Sequence, residues 1–101
     1  MARLDQAALL ARATEVFNAT PDESGAADLV CERGALLVVA DPKELKPAFK
    51  KAKKLPGYKW VVINRDDLFA ANPLSLGSKA GIFDADGNML KNADVPRKKV
   101  L

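Results

Sequence analysis

Between Asp5 and Asn18 apolar side chains recur at helical spacing, with Leu9, Leu10, Ala13, Val16 and Phe17 sharing one broad face. That pattern predicts an amphipathic helix. Thr20-Pro21-Asp22-Glu23 then carries helix-start chemistry: a threonine cap, a proline at the first helical position and a glutamate three residues after the cap. A second helix to about Arg33, stopped by Gly34, follows from this reading. Gly25 weakens it, and a competing pattern makes Leu29 to Glu32 a strand joined to Ala35 through Arg33-Gly34.

Ala35 to Ala40 is uninterrupted apolar sequence, as expected of a central strand covered on both faces. Asp41, with Glu44 three residues later, opens a helix to about Lys54 that Pro47 should bend or restart. At 100° per residue, Leu45, Ala48, Phe49, Ala52 and Leu55 cluster on one side of it, while Lys46, Lys50, Lys51, Lys53 and Lys54 share the other. Pro56-Gly57 ends this helix, and Tyr58 to Ile63 reads as a second strand, completing a βαβ unit with the expected right-handed crossover. Asn64 caps a short helix from Arg65 to about Ala71, which Asn72-Pro73 should stop, and a loop through Leu74 to Ser78 follows. Ala80 to Phe83 and Asn88 to Leu90 read as the two strands of a hairpin.

The predicted fold is therefore α/β (or α+β), a single small domain over residues 1–91 with a mixed sheet flanked by helices. N-terminal helices come first, then the βαβ unit, then the C-terminal β-hairpin. Residues 92–101 read as a basic, flexible tail. A chain of 101 residues, 49% hydrophobic, fits one domain with a packed core. The order of elements from the βαβ unit onward is similar to the core of thioredoxin-like domains. The resemblance implies a scaffold without redox chemistry, because neither the Cys-x-x-Cys pair nor the proline before the hairpin's first strand is present, Lys79 standing near its place.

Charge sharpens this picture. The net charge of +3 divides into balances of −3 over residues 1–34, +5 over 35–60, −2 over 61–90 and +3 over 91–101. Positive charge thus sits in one helix and in the tail, where it would attract phosphate backbones or acidic protein surfaces. The longest apolar run, Ala35 to Ala40, is too short to cross a bilayer, and Met1 opens no secretory signal pattern. The expectation is a soluble, cytoplasmic protein with no membrane contact.

Candidate chemistry centres on Gly81 to Leu90, GIFDADGNML. Asp84-Ala85-Asp86-Gly87-Asn88 resembles the first motif of haloacid-dehalogenase-like phosphatases, in which a strand ends in an aspartate nucleophile and a second aspartate, two residues on, acts as acid and base. The chain departs from that pattern in having only 15 residues after Asp86 and Asn88 where the family has threonine or valine. A calcium loop would need glycine at its sixth position and a glutamate at its twelfth, which are absent here. An Asp-Gly turn accounts for the same residues. The chain has no histidine, which removes the commonest general base and metal ligand. Cys31 has no partner for a disulfide or metal pair and reads as a small buried hydrophobe. Asp66 and Asp67 suit the first turn of a helix. Leu76-Gly77-Ser78-Lys79 lacks the upstream glycine of a phosphate-binding loop.

No catalytic residue, metal ligand or cofactor is assigned on these grounds. The expected function is a small non-enzymatic interaction module, a regulator, inhibitor or assembly factor. It would contact an acidic protein through Lys46, Lys50, Lys51, Lys53 and Lys54, with Arg97, Lys98 and Lys99 of the tail, and with Tyr58, Trp60 and the loop of residues 73–79 as additions. The alternative is a nucleic-acid-binding accessory protein using the same helix and tail without sequence specificity. The sequence leaves the oligomeric state open.

Overall fold

A computed structural model describes residues 3–94. The first helix, α1, spans Gln6–Val16, with the Asp5 carboxylate accepting from the Ala8 N–H as its cap. Six strands follow: β1 (Thr20–Pro21), β2 (Leu29–Cys31), β3 (Gly34–Val39), β4 (Lys59–Ile63), β5 (Gly81–Phe83) and β6 (Met89–Lys91). They form one mixed sheet in sequential order, parallel across β3, β4 and β5 and antiparallel at both ends. Helices α2 (Leu45–Lys53) and α3 (Leu68–Ser78) connect the parallel strands, each entered through a 3-10 turn, Pro42–Glu44 and Arg65–Asp67. The molecule is a small α/β domain. Its likeness to thioredoxin-like domains is weak, because β5 continues the parallel set beside β4 and only β6 runs back.

Because successive strand residues point to opposite faces, the parallel strands need cover on both sides. Leu36, Val38, Trp60, Val62 and Phe83 pack beneath α1 with Leu9 and Ala13. Leu37, Val39, Val61, Ile63 and Ile82 pack against α2 and α3 through Leu45, Phe49, Ala52 and Ala71. Trp60 stacks on Phe83 with ring centroids 4.2 Å apart, and its indole N–H donates to the Arg33 carbonyl at 2.9 Å. It is core rather than a surface anchor.

Two expected elements differ. The second N-terminal helix, expected from Thr20-Pro21-Asp22-Glu23 to Arg33, does not form: Thr20–Pro21 pairs antiparallel with Leu29 and Val30, and Leu29–Cys31 is a strand turning into β3 through Arg33-Gly34. With that pairing in place, the Asp22 carboxylate accepts from the Ser24 N–H, the Ser24 hydroxyl and the Ala27 N–H, closing a loop instead of capping a helix. Gly25, at φ +75°, completes that loop. The helix expected to stop at Asn72-Pro73 instead runs on to Ser78, with Pro73 inside it. Pro73 lies on the exposed side, and the carbonyl it leaves without an i+4 donor belongs to Phe69, itself 97% exposed and open to water. The expected loop from Leu74 to Ser78 is therefore the last half of α3. Pro47 falls in the first turn of α2, where a missing N–H costs little, so the chain restarts as an α-helix at Leu45 after the 3-10 turn.

β3 outruns its antiparallel neighbour, and side chains finish its edge. Val38 donates its N–H to Asp28 Oδ2 at 2.8 Å, while the Gln6 amide donates to the Val38 carbonyl and accepts from the Ala40 N–H. Past β6, Ala93 is buried in the core under α1, and the Asp94 N–H donates to the Lys79 carbonyl at 3.1 Å. Arg97, Lys98 and Lys99 lie outside the described residues.

Gly34 sits at φ +125°, and a β-carbon there would run into the Tyr58 carbonyl, whose oxygen also accepts from the Ala35 N–H. Gly34→Ala should therefore lose about 2 kcal/mol or more, strain and overlap adding together. Gly25→Ala, where a β-carbon meets nothing within 4 Å, should lose only about 1–2 kcal/mol from its left-handed backbone. Urea denaturation of both variants checks the order; equal losses would contradict it.

Candidate interaction surface

The parallel strands β3, β4 and β5 all end at one side of the sheet, where open α/β sheets commonly hold ligands. Here that side is built from polar groups that satisfy one another. Asp84, at the end of β5 and 3% exposed, accepts on Oδ1 from the N–H groups of Asp86 and Asn88, both at 2.9 Å. Its Oδ2 accepts from the Asn88 amide at 3.0 Å and from Arg65 at 3.4 Å. Arg12 pairs with Asp86 from α1, and Gly87, at φ +85°, closes the turn. Asn64, buried at the end of β4, exchanges hydrogen bonds with the backbone of Leu4, both at 3.0 Å. Arg3 makes a two-pronged bond to Asp67, at 2.7 and 2.8 Å, and also donates to the Ala40 carbonyl.

This arrangement is a brace. Both oxygens of Asp84 accept hydrogen bonds from within the chain. Among the described residues no group of three or more Cys, Asp or Glu side chains is arranged to hold a metal ion. Burial, the largest influence, pushes the Asp84 carboxyl upward, but hydrogen bonds from Asn88 and Asp86 and the charge of Arg65 together outweigh it. The group is held below the ordinary carboxylate value.

The predicted partner-binding lysines lie elsewhere. Lys46, Lys50, Lys51, Lys53 and Lys54 are all exposed on α2 and its C-terminal cap, opposite the buried Leu45, Phe49 and Ala52. Their ammonium groups have no carboxylate partner among the described residues, whose ion pairs are Arg3–Asp67, Arg12–Asp86 and Arg65–Asp84. The helix backbone spreads the five over its outward half, with Lys51 and Lys53 at opposite edges. Beyond its end, Lys59 donates to the Leu55 carbonyl at 2.9 Å, and burial followed by the charge of Lys79 depresses its ammonium group. Those two lysines and Lys53 border a hollow of about 290 Å³ together with Asp94.

A feature that the sequence pattern did not single out lies on α3, which packs beside α2 in the same layer. Its buried positions are Ala71, Ser75 and Ser78, with Ser75 and Ser78 donating their hydroxyls to carbonyls of their own helix. Its outward positions include Phe69, 97% exposed, and Leu76, 71% exposed. Reading Pro73 as a stop hid the seven-residue spacing of these two side chains, which was the available signal. Tyr58 is also exposed, whereas Cys31 is half-buried on β2. Comparison of the chain with models of protein families, with curated proteins and with solved structures gives no match.

The depressed Asp84 carboxyl fixes a sign. A group with a lower value folded than unfolded stabilises the fold above its unfolded value, near 4, and that stabilisation is lost as pH falls through the folded value. Asp84→Asn should lower stability at neutral pH by about 1–3 kcal/mol, since an amide cannot accept on both sides. The variant should also lose part of the wild-type acid sensitivity. Urea midpoints for both proteins at neutral pH and below the carboxylate range test this; parallel pH profiles would contradict it.

Proposed function

We propose that this chain is a small non-enzymatic protein-interaction module that grips an acidic surface of another protein with the lysine stripe of α2. The supporting observation is the set of five exposed lysines on one helix face with no carboxylate partner among the described residues. Lysines that served only as a solvated face would gain from interspersed acids at i+4 spacing, yet the helix Leu45–Lys53 contains none. Buried Leu45, Phe49 and Ala52 hold the helix against the sheet, so the charges are presented on a rigid element. Complementary charge of this kind steers association and selects partners more than it adds affinity.

The competing use of the same stripe is phosphate binding by nucleic acid. The charges of the helix are all lysine, without the arginine that reads guanine, and its one aromatic, Phe49, is buried in the core rather than open to stack on bases. A protein partner is therefore the favoured reading.

Reversing Lys50 and Lys54 together to glutamate should leave the circular dichroism spectrum unchanged and weaken capture of acidic proteins from the native host by at least about tenfold. Quantitative mass spectrometry of the two captures reads this out. Equal captures would remove the stripe from the proposal. A fluorescence titration with duplex DNA at low salt should show no binding; tight, steeply salt-dependent binding would favour the nucleic-acid alternative.

A further inference from the structure

At the end of the sheet opposite the Asp84 turn, α2 finishes at Lys53, β4 begins at Lys59, and Lys79 caps α3 two residues before β5. These three lysines line the hollow of about 290 Å³, with Leu55 and Pro56 as an apolar wall and Asp94 as its single carboxylate.

We propose that this hollow binds the phosphate group of a small monoester, held between the ammonium groups of Lys53, Lys59 and Lys79. Uncompensated charge is the first ground. Among the described residues none of the three lysines forms an ion pair, with Asp94 or with any other carboxylate. Burial depresses the Lys59 ammonium group, and the charge of Lys79 adds to it, so the two heads share one electrostatic environment. Like charges gathered in a concave place cost free energy until an anion joins them. The carbonyl ends of α2 and α3 each offset about half a unit of that charge, and Asp94 offsets one unit more. A positive excess remains.

The available donors narrow the ligand. Lys59 gives one N–H to the Leu55 carbonyl, which steadies its head and leaves two N–H groups to offer. The Ser78 hydroxyl is already used, donating to the Ser75 carbonyl and accepting from the Ala80 N–H. Recognition therefore falls to ammonium groups, point charges that suit a phosphate dianion rather than the two-pronged pairing that arginine gives a carboxylate. A volume of about 290 Å³ lies at the low end for small-molecule sites. It suits a compact ester whose carbon part rests on Leu55 and Pro56. Lys59 and Lys79 are not among the α2 lysines proposed for protein contact, so the two readings can fail separately.

Backbone amide shifts followed by NMR at constant ionic strength should saturate with inorganic phosphate at a dissociation constant of about 1 mM, changing most at Gly57, Lys59, Gly77 and Lys79. Phenyl phosphate should bind at least about threefold more tightly through its ring, and acetate, singly charged, at least about tenfold more weakly. A short phosphoserine peptide should bind no more tightly than phenyl phosphate. Lys79 offers a variant that spares the fold, because its backbone sits at φ +65°, a left-handed position that glycine takes readily. Lys79→Gly should leave the circular dichroism spectrum unchanged and weaken phosphate binding by at least about fivefold. Lys43→Gln removes the same charge from an exposed site outside the hollow and should change binding by less than about twofold. Absence of saturation, shifts as large at Lys46 and Lys50 as at the hollow, or equal effects of Lys79→Gly and Lys43→Gln would overturn the inference. So would acetate binding as tightly as phosphate, phenyl phosphate no more tightly than phosphate, or the peptide more tightly than the ester.

Discussion

Three parallel strands buried on both faces impose the main constraint on this molecule. β3, β4 and β5 place apolar side chains alternately above and below the sheet, and neither face can be left to water. The connections β3–α2–β4 and β4–α3–β5 put two helices over one face, leaving the other to α1. The first helix is thus half of the cover the sheet requires. Its position is secured by polar ties from its N-terminal approach: Arg3 to Asp67 and Ala40, Leu4 to Asn64, and Gln6 to the free edge of β3.

Those ties also serve the polar groups at the acid-rich end of the sheet. Asn64, Asp67 and Asp84 are buried polar groups that would be costly if unsatisfied, and each has its partners within the chain. The basic side chains that Asp84 and Asp86 hold are Arg65 and Arg12. Electrostatics is therefore divided by location. At the strand ends Arg3, Arg12 and Arg65 are paired with Asp67, Asp86 and Asp84, while on α2 the lysines are displayed.

Much of the fold was legible because burial on two sides writes an unbroken apolar run, as in residues 35–40, and amphipathic cover writes a helical period, as in residues 45–55. The Asp-Gly turn between β5 and β6 was legible for the same kind of local reason. What failed was punctuation. Thr20-Pro21-Asp22-Glu23 has the composition of a helix cap, but the same carboxylate can close a loop, and the decision rests with Leu29 and Val30 pairing across the sheet, a contact no local pattern contains. Pro73 broke the helical reading because its cost is local, whereas the packing of Ala71, Ser75 and Ser78 against the domain that outweighs it is tertiary. The lysines of α2 were read from sequence and are exposed; the Phe69 and Leu76 pair became visible only once α3 had its full length.

The ends of the sheet carry one more consequence. On one side the outermost strand is two residues long and includes Pro21, which has no N–H to offer; on the other, β6 is three residues long and joins β5 through an irregular register. Short, proline-bearing or irregular margins are poor templates for adding another strand. Stacking of copies edge to edge into extended sheets is thereby discouraged.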